Sequence, residues 1–127
     1  MKPVAVEGMT LAYTAKMGET PMGNAEVTAQ PGLASQNVRV DGKGVYVDGA
    51  DLTAKSWTIG AYTGAGEVLA NFKSSAEFVK VDGENVLLEG DAAEFDVSAT
   101  NTSSGDTKTF TITATIQAAG QDSVTAE

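Results

Sequence analysis

Apolar and polar residues alternate along most of this chain. Each alternating run stops at an acidic residue followed by glycine, or at a cluster of small polar residues. Period-two alternation sends successive side chains to opposite faces of a strand, so the pattern predicts an all-β fold. The clearest short runs are Val4-Ala5-Val6-Glu7-Gly8, Val38-Arg39-Val40-Asp41-Gly42 and Val79-Lys80-Val81-Asp82-Gly83. Each reads as a strand entering an acidic-Gly turn, where glycine supplies the positive φ that a tight hairpin needs. After the second and third runs the agreement continues at a constant offset of 41 residues. Val45 matches Val86, Val47 matches Leu88, and Gly49 matches Gly90.

Hairpins are therefore expected over 37–47 and 78–88, and two short strands over 4–15 around Glu7-Gly8. Residues 16–33 are rich in Gly, Pro, Met and Asn and read as loop, with one short strand at 25–29. Residues 52–62 alternate around Trp57 and Ile59. Gly60, Gly64 and Gly66 then break the pattern, and 66–72 has room for a helical turn or two at most. Further on, Phe95, Val97 and Ala99 alternate with acidic and hydroxyl residues, and Phe110, Ile112, Ala114 and Ile116 alternate with threonines. A polar turn at 101–106 joins these runs into a long antiparallel hairpin over 92–117, one face buried and the other a threonine ladder. Residues 118–127 close the chain as a polar tail that a partner is expected to order.

A length of 127 residues suits one domain. Its repeat-bearing part spans 1–91, followed by the hairpin over 92–117 and the tail over 118–127. Three strand–turn–strand repeats in one chain suggest a scaffold built by symmetry, a small pseudo-threefold β-pyramid carrying an added hairpin. Turns at intervals of 8–12 residues suit a β-sandwich as well.

Composition narrows the chemistry. Aromatic residues make up only 6%, so the core must be chiefly Val, Leu, Ile and Ala. A net charge of −9 with no Lys/Arg cluster repels phosphate backbones, which argues against a nucleic-acid partner. The chain has no cysteine, which removes disulfides, thiolate metal sites and thiol nucleophiles. It has no histidine either, and with it go Ser-His pairs and the commonest general base.

The carboxylates sit beside glycine or on the polar side of strands, as turn formers and solvated charges do. Asp48-Gly49-Ala50-Asp51 and Glu89-Gly90-Asp91 lack the alternating oxygen ligands and terminal glutamate of a calcium loop. No glycine run carries the Lys-Ser/Thr of a phosphate-binding loop. The expectation is a protein without catalysis, cofactor, bound metal or small-molecule substrate. Residues 1–14 lack the basic start and apolar run of a signal peptide, and no stretch has the length of a membrane-spanning helix. Synthesis in the cytoplasm is therefore expected.

The second and third repeats also carry a family resemblance. Asp82-Gly83-Glu84-Asn85-Val86-Leu87-Leu88-Glu89-Gly90-Asp91 resembles, without gaps, the strand–turn–strand signature of PAAR-repeat proteins, which ends in Gly-Asp. Asp41-Gly42-Lys43-Gly44-Val45-Tyr46-Val47-Asp48-Gly49 fits the same register, and Ser35-Gln36-Asn37 looks like the family's lead-in. The Pro-Ala-Ala-Arg tetrad itself is replaced by residues 44–47 and 85–88, and the histidines and cysteine that hold an apical metal in many members are missing.

The resemblance implies a metal-free spike-tip protein of a phage tail or contractile injection particle. One copy would cap a trimeric spike, be assembled into a virion tail or secreted particle, and touch the target envelope transiently. The motif residues would be Val4, Val6, Gly8, Val38, Val40, Asp41, Gly42, Val45, Gly49, Val79, Val81, Asp82, Gly83, Val86, Gly90 and Asp91. A capsid decoration protein or another β-domain of a virion or tail is the alternative.

Overall fold

The computed structural model describes residues 2–81, 83–121 and 124–126, so Asp82 of the third phrase lies outside the described residues. Those residues form strands and no helix, as the alternation predicts. In chain order the strands are β1 (Lys2–Pro3), β2 (Thr10–Met17), β3 (Thr20–Asn24), β4 (Glu26–Pro31), β5 (Ser35–Val40), β6 (Lys43–Val45) and β7 (Asp51–Ile59). They continue as β8 (Tyr62–Asn71), β9 (Lys80–Val81), β10 (Glu84–Asn85), β11 (Ala92–Asn101), β12 (Thr107–Ala118) and β13 (Thr125–Ala126).

Seven strands make one antiparallel sheet in the order β3-β2-β12-β11-β8-β7-β4. Its two outermost strands are nearly one extended run, interrupted only at Ala25, whose N–H donates to the Tyr13 carbonyl. The first half of that run pairs with β2, Thr14 opposite Asn24, and the second half with β7, Glu26 opposite Thr58. The sheet thus curls until residues 20–31 serve both of its ends, which covers edges that would otherwise lie open. One curled sheet, rather than two stacked sheets, holds the main core.

The loop expected over 16–33 is therefore mostly strand. β3 is exposed along its whole length, so no apolar alternation marks it. Pro21 and Gly23 fall where its pairing with β2 shifts register, a place where such residues are tolerated in a strand. The helical turn expected within 66–72 is also strand. Around Gly66 the ladder steps from Ser56↔Ala65 to Ala54↔Val68, and this bulge is what interrupts the alternation.

The C-terminal hairpin forms as expected, from Ala92↔Thr115 to Thr100↔Thr107. Ala93, Phe95, Val97 and Ala99 face inward with Phe110, Ile112, Ala114 and Ile116. The threonine face lies outward, where Thr111 donates to Asp96. Leu52, Ala54, Trp57 and Ile59 of β7 complete the inside of the curl. The wall is weakest between β8 and β11, which register only at Thr63↔Thr100 and Tyr62↔Asn101. Beyond those pairs, Lys73 N–H donates to the Ala92 carbonyl at the far end of the strands.

Candidate functional site: a ring of three bonded segments

Beneath the curled sheet three short extended segments meet, 4–8, 45–49 and 86–90. Each reads Val, any residue, Val or Leu, acid, Gly, and they are spaced by 41 residues. Their central residues bond head to tail in a closed cycle. Tyr46 N–H donates to the Ala5 carbonyl at 3.0 Å, Leu87 N–H to the Tyr46 carbonyl at 2.9 Å, and Ala5 N–H to the Leu87 carbonyl at 2.8 Å.

A second set of bonds repeats the interval. Glu7 N–H donates to the Gly44 carbonyl, Asp48 N–H to Asn85 and Glu89 N–H to Pro3, at 3.0, 2.8 and 2.9 Å. A third set closes the turn after each segment: Met9 N–H to Val6, Ala50 N–H to Val47 and Asp91 N–H to Leu88, each at 3.0 Å. These turns need Gly8, Gly49 and Gly90 at φ of 94°, 85° and 96°, where a side chain would be strained. The long strands β2, β7 and β11 then leave from Thr10, Asp51 and Ala92, again 41 residues apart.

This arrangement corrects the register read from the sequence. By alternation alone the phrase Val4-Ala5-Val6-Glu7-Gly8 matches 38–42 and 79–83, yet its bonds make it the counterpart of 45–49 and 86–90. Both strands of the second hairpin spell nearly the same phrase, and only the hydrogen bonds assign its role. Residues 38–42 and 79–83 instead lead into tight hairpins. Val40 pairs with Lys43 around Asp41 and Gly42, both at positive φ (54° and 78°), and Val81 pairs with Glu84 around a turn holding Gly83 at 81°.

The third short sheet is assembled from distant parts of the chain. β13 pairs with β1, Ala126 opposite Lys2 and Thr125 opposite Pro3. Val4 N–H donates to Val124 as Val86 N–H donates to Val79. The described tail residues 121 and 124–126 are thus held by bonds within the chain itself. The Gln121 amide donates to the carbonyls of Val4 and Val124 and accepts from Val124 N–H, and Ala126 is buried.

Alternation along the ring segments separates two cores. Ala5, Tyr46 and Leu87 join the core inside the curled sheet. Val4, Val6, Val45, Val86 and Leu88 face a second core with Ala76, Val81 and Ala126, against which Val40 and Val47 pack. The ring is a septum one backbone thick, apolar on both faces. Of the other motif residues, Val38 and Val79 are exposed, and Asp91 is buried.

Asp91 is satisfied locally: it accepts from Leu88 N–H, from Ser75 N–H and from the Ser75 hydroxyl. Asp48 accepts from Ser74 N–H at 2.6 Å, and the Ser74 hydroxyl donates to the Val86 carbonyl. Glu7 accepts from Gly44 N–H at 2.6 Å. Ser74 and Ser75 tie two of the ring segments together, and no periodic signal in the sequence marks them. Burial, with a smaller contribution from the Glu7 carboxylate, holds the Tyr46 phenol above its ordinary pKa. Among the described residues, no group of three His, Cys, Asp or Glu side chains is placed to hold a metal ion.

What the fold and the ring define is a small all-β domain whose curled antiparallel sheet is floored by three cyclically bonded segments. Comparison with known proteins finds no match: no family model fits the sequence, no curated protein matches it, and no solved structure matches it.

Proposed function

We propose that this chain is a non-catalytic structural protein that caps the end of a trimeric spike, one copy per trimer, in a phage tail or contractile injection particle. There it helps the particle breach an envelope. The observation that carries this reading is the closed cycle of bonds among Ala5, Tyr46 and Leu87 at equal 41-residue intervals. That cycle supports an approximate threefold axis within a single chain. A lone subunit seated on the axis of a homotrimer meets three identical surfaces, and it engages all of them alike only if it repeats itself three times. The Asp-Gly turns and the phrases at 41–49 and 82–91, which resemble PAAR-repeat proteins, point the same way.

The test is native mass spectrometry of the purified chain, alone and mixed with the homotrimeric central spike of the same particle. A monomer alone and a complex of one chain with three spike subunits are the expected species. A chain that forms a stable homotrimer by itself would overturn the cap and favour a capsid decoration or tail-shaft subunit. Deletion of the chain should leave particles with blunt tips and poor penetration, seen by electron microscopy and infectivity or killing assays.

A further inference from the structure

Three hairpins make the curled sheet, β2 with β3 and β4, β7 with β8, and β11 with β12, and one of the three seams between them is incomplete. β12 meets β2 through seven residue pairs, and β4 meets β7 through six. β8 and β11 register only Thr63↔Thr100 and Tyr62↔Asn101 at the upper end, with a single bridge, Lys73↔Ala92, at the lower. A cleft of about 450 Å³ marks the lower opening, lined by Asn71, Lys73, Ala92, Ala93, Glu94 and Thr113.

The main-chain groups that could close this seam are already aimed across it. In an antiparallel strand, alternate residues bond to alternate neighbours. The Asp91 carbonyl accepts from Ile116 N–H on the β12 side, and the Ala92 carbonyl from Lys73 N–H on the β8 side. Glu94, Asp96 and Ser98 follow Ala92 at steps of two and so face β8. On β8, Phe72 N–H donates to the Ala50 carbonyl on the β7 side, which turns Leu69 and Asn71 toward β11. Continued inward, the upper pairing sets Ala65 opposite Ser98. The lower bridge sets Asn71 opposite Glu94 and Leu69 opposite Asp96.

From Thr63 to Lys73 the chain takes ten steps, and from Thr100 to Ala92 eight. The surplus is Gly66 and Glu67, which already stand outside the β7 ladder in the bulge between Ala65 and Val68. A complete seam therefore needs no change of register. What stands in its way is the Trp57 indole. Its Nε1 donates to the Ser98 carbonyl at 3.0 Å, the acceptor that Ala65 N–H would reach, and it fills the space beside Gly64.

We propose that the β8–β11 seam is a two-state latch, in which the Ser98 carbonyl is held either by the Trp57 indole, as in this structure, or by Ala65 N–H. In the second state Ala65↔Ser98, Leu69↔Asp96 and Asn71↔Glu94 join the ladder, and the indole leaves β11. The curl then alternates between a slack and a fully laddered wall while the septum beneath it keeps its bonds. The latch does not depend on the chain capping a spike.

Amide hydrogen exchange on the isotope-labelled chain tests it. In the wild type, the amides of Glu94 and Asp96 should exchange roughly tenfold faster, or more, than those of Thr113 and Thr115, which alternation turns toward β2 across a complete seam. Trp57→Phe keeps an aromatic ring but no N–H, so it should release the latch. Exchange at Ala65, Glu94 and Asp96 should then slow by roughly tenfold, with folding verified by circular dichroism melts. Unchanged exchange at those amides in a folded Trp57→Phe overturns the latch, as does wild-type protection there equal to that of Thr113 and Thr115. Where Trp57→Phe does not fold, relaxation dispersion on the wild type decides. One shared exchange process at the Ala65 amide and the Trp57 indole N–H is expected, and flat profiles at both overturn the proposal.

Discussion

The indole Nε1 of Trp57 donates a hydrogen bond to the backbone carbonyl of Ser98 at 3.0 Å, reaching from β7 to β11 past the intervening strand β8. It passes directly against Gly64, Trp57's own cross-strand partner. The indole therefore supplies a bond where β8 and β11 lack a ladder, and Gly64 is the opening that admits it.

Gly64→Ala should be strongly destabilising. A Cβ there would stand 2.2 Å from Trp57 Nε1 and 2.5 Å from the Ser98 carbonyl oxygen, so the indole must leave or the strand must shift. Overpacking together with an orphaned carbonyl predicts a loss of about 2–4 kcal/mol in urea unfolding. The emission of the single tryptophan should shift to the red. Unchanged stability and emission would show that the indole does not lie against residue 64.

The septum predicts a swap. Leu87→Ala should cost about 2–5 kcal/mol, because Leu87 is fully buried. Ala5→Leu alone should cost about 1–3 kcal/mol by overpacking. Their backbones are bonded neighbours in the ring, so the double variant restores total volume and should be more stable than the sum of the two losses. Simple additivity in a double-mutant cycle would mean the two side chains do not share one space.

Asp91→Ala removes the acceptor for two backbone N–H groups and one hydroxyl at a buried turn. A loss of about 2–4 kcal/mol is expected, with Asp91→Asn recovering part of it, since one oxygen remains to accept. Thermal melts of the three proteins measure it. Equal stability of the wild type and the alanine variant would remove Asp91 from the ring's support.

Alkaline pH should weaken the fold through Tyr46. Its phenol is held above the ordinary value near 10.0 by burial and then by Glu7, while Tyr13 is raised by burial alone. A folded-state pKa above the unfolded value means the native state keeps its proton longer. The stabilisation is complete below about pH 10 and is lost as pH rises through the folded value. Melting temperature should fall above pH 10, and Tyr46→Phe should reduce the slope. An unaltered slope would contradict the assignment.

Lys55 and Glu67 form an ion pair on the outer wall, and its lysine, through a hydrogen bond and its charge, lowers the Glu67 pKa. Both side chains are well exposed, so water and salt screen the pair. Lys55→Ala should leave the melting temperature essentially unchanged. A clear drop would mean that the pair supports the curl.

Much of this fold is legible in the alternation of Val, Phe and Ile with Thr, Asp and Glu, because each strand has one buried face. The hairpin over 92–117 and the tight turns at Asp41-Gly42 and before Glu84 follow from it directly. β3 escapes because it buries nothing, and β8 because its bulge breaks the period. The ring was half legible. The interval of 41 residues stands out between 45–49 and 86–90, but Val4-Ala5-Val6-Glu7-Gly8 matches either strand of the later hairpins. Its place is decided by bonds to Leu87 and Tyr46, which no local pattern records. The reach of Trp57 to Ser98 spans 41 residues and rests on a missing side chain at Gly64, so it too lies beyond a reading of periodicity.

The pairing of β1 with β13 sets an order of events for the chain. Two sides of the ring can close around local hairpins, each with a tight turn. The third joins residues 2–4 to 124–126 and must wait until the long intervening segment has been gathered, at a larger entropic cost of closure than either hairpin. Until residues 124–126 dock on residues 2–4, the half-made septum leaves its valines uncovered. Completion of the floor is thus a late step in the folding of this domain.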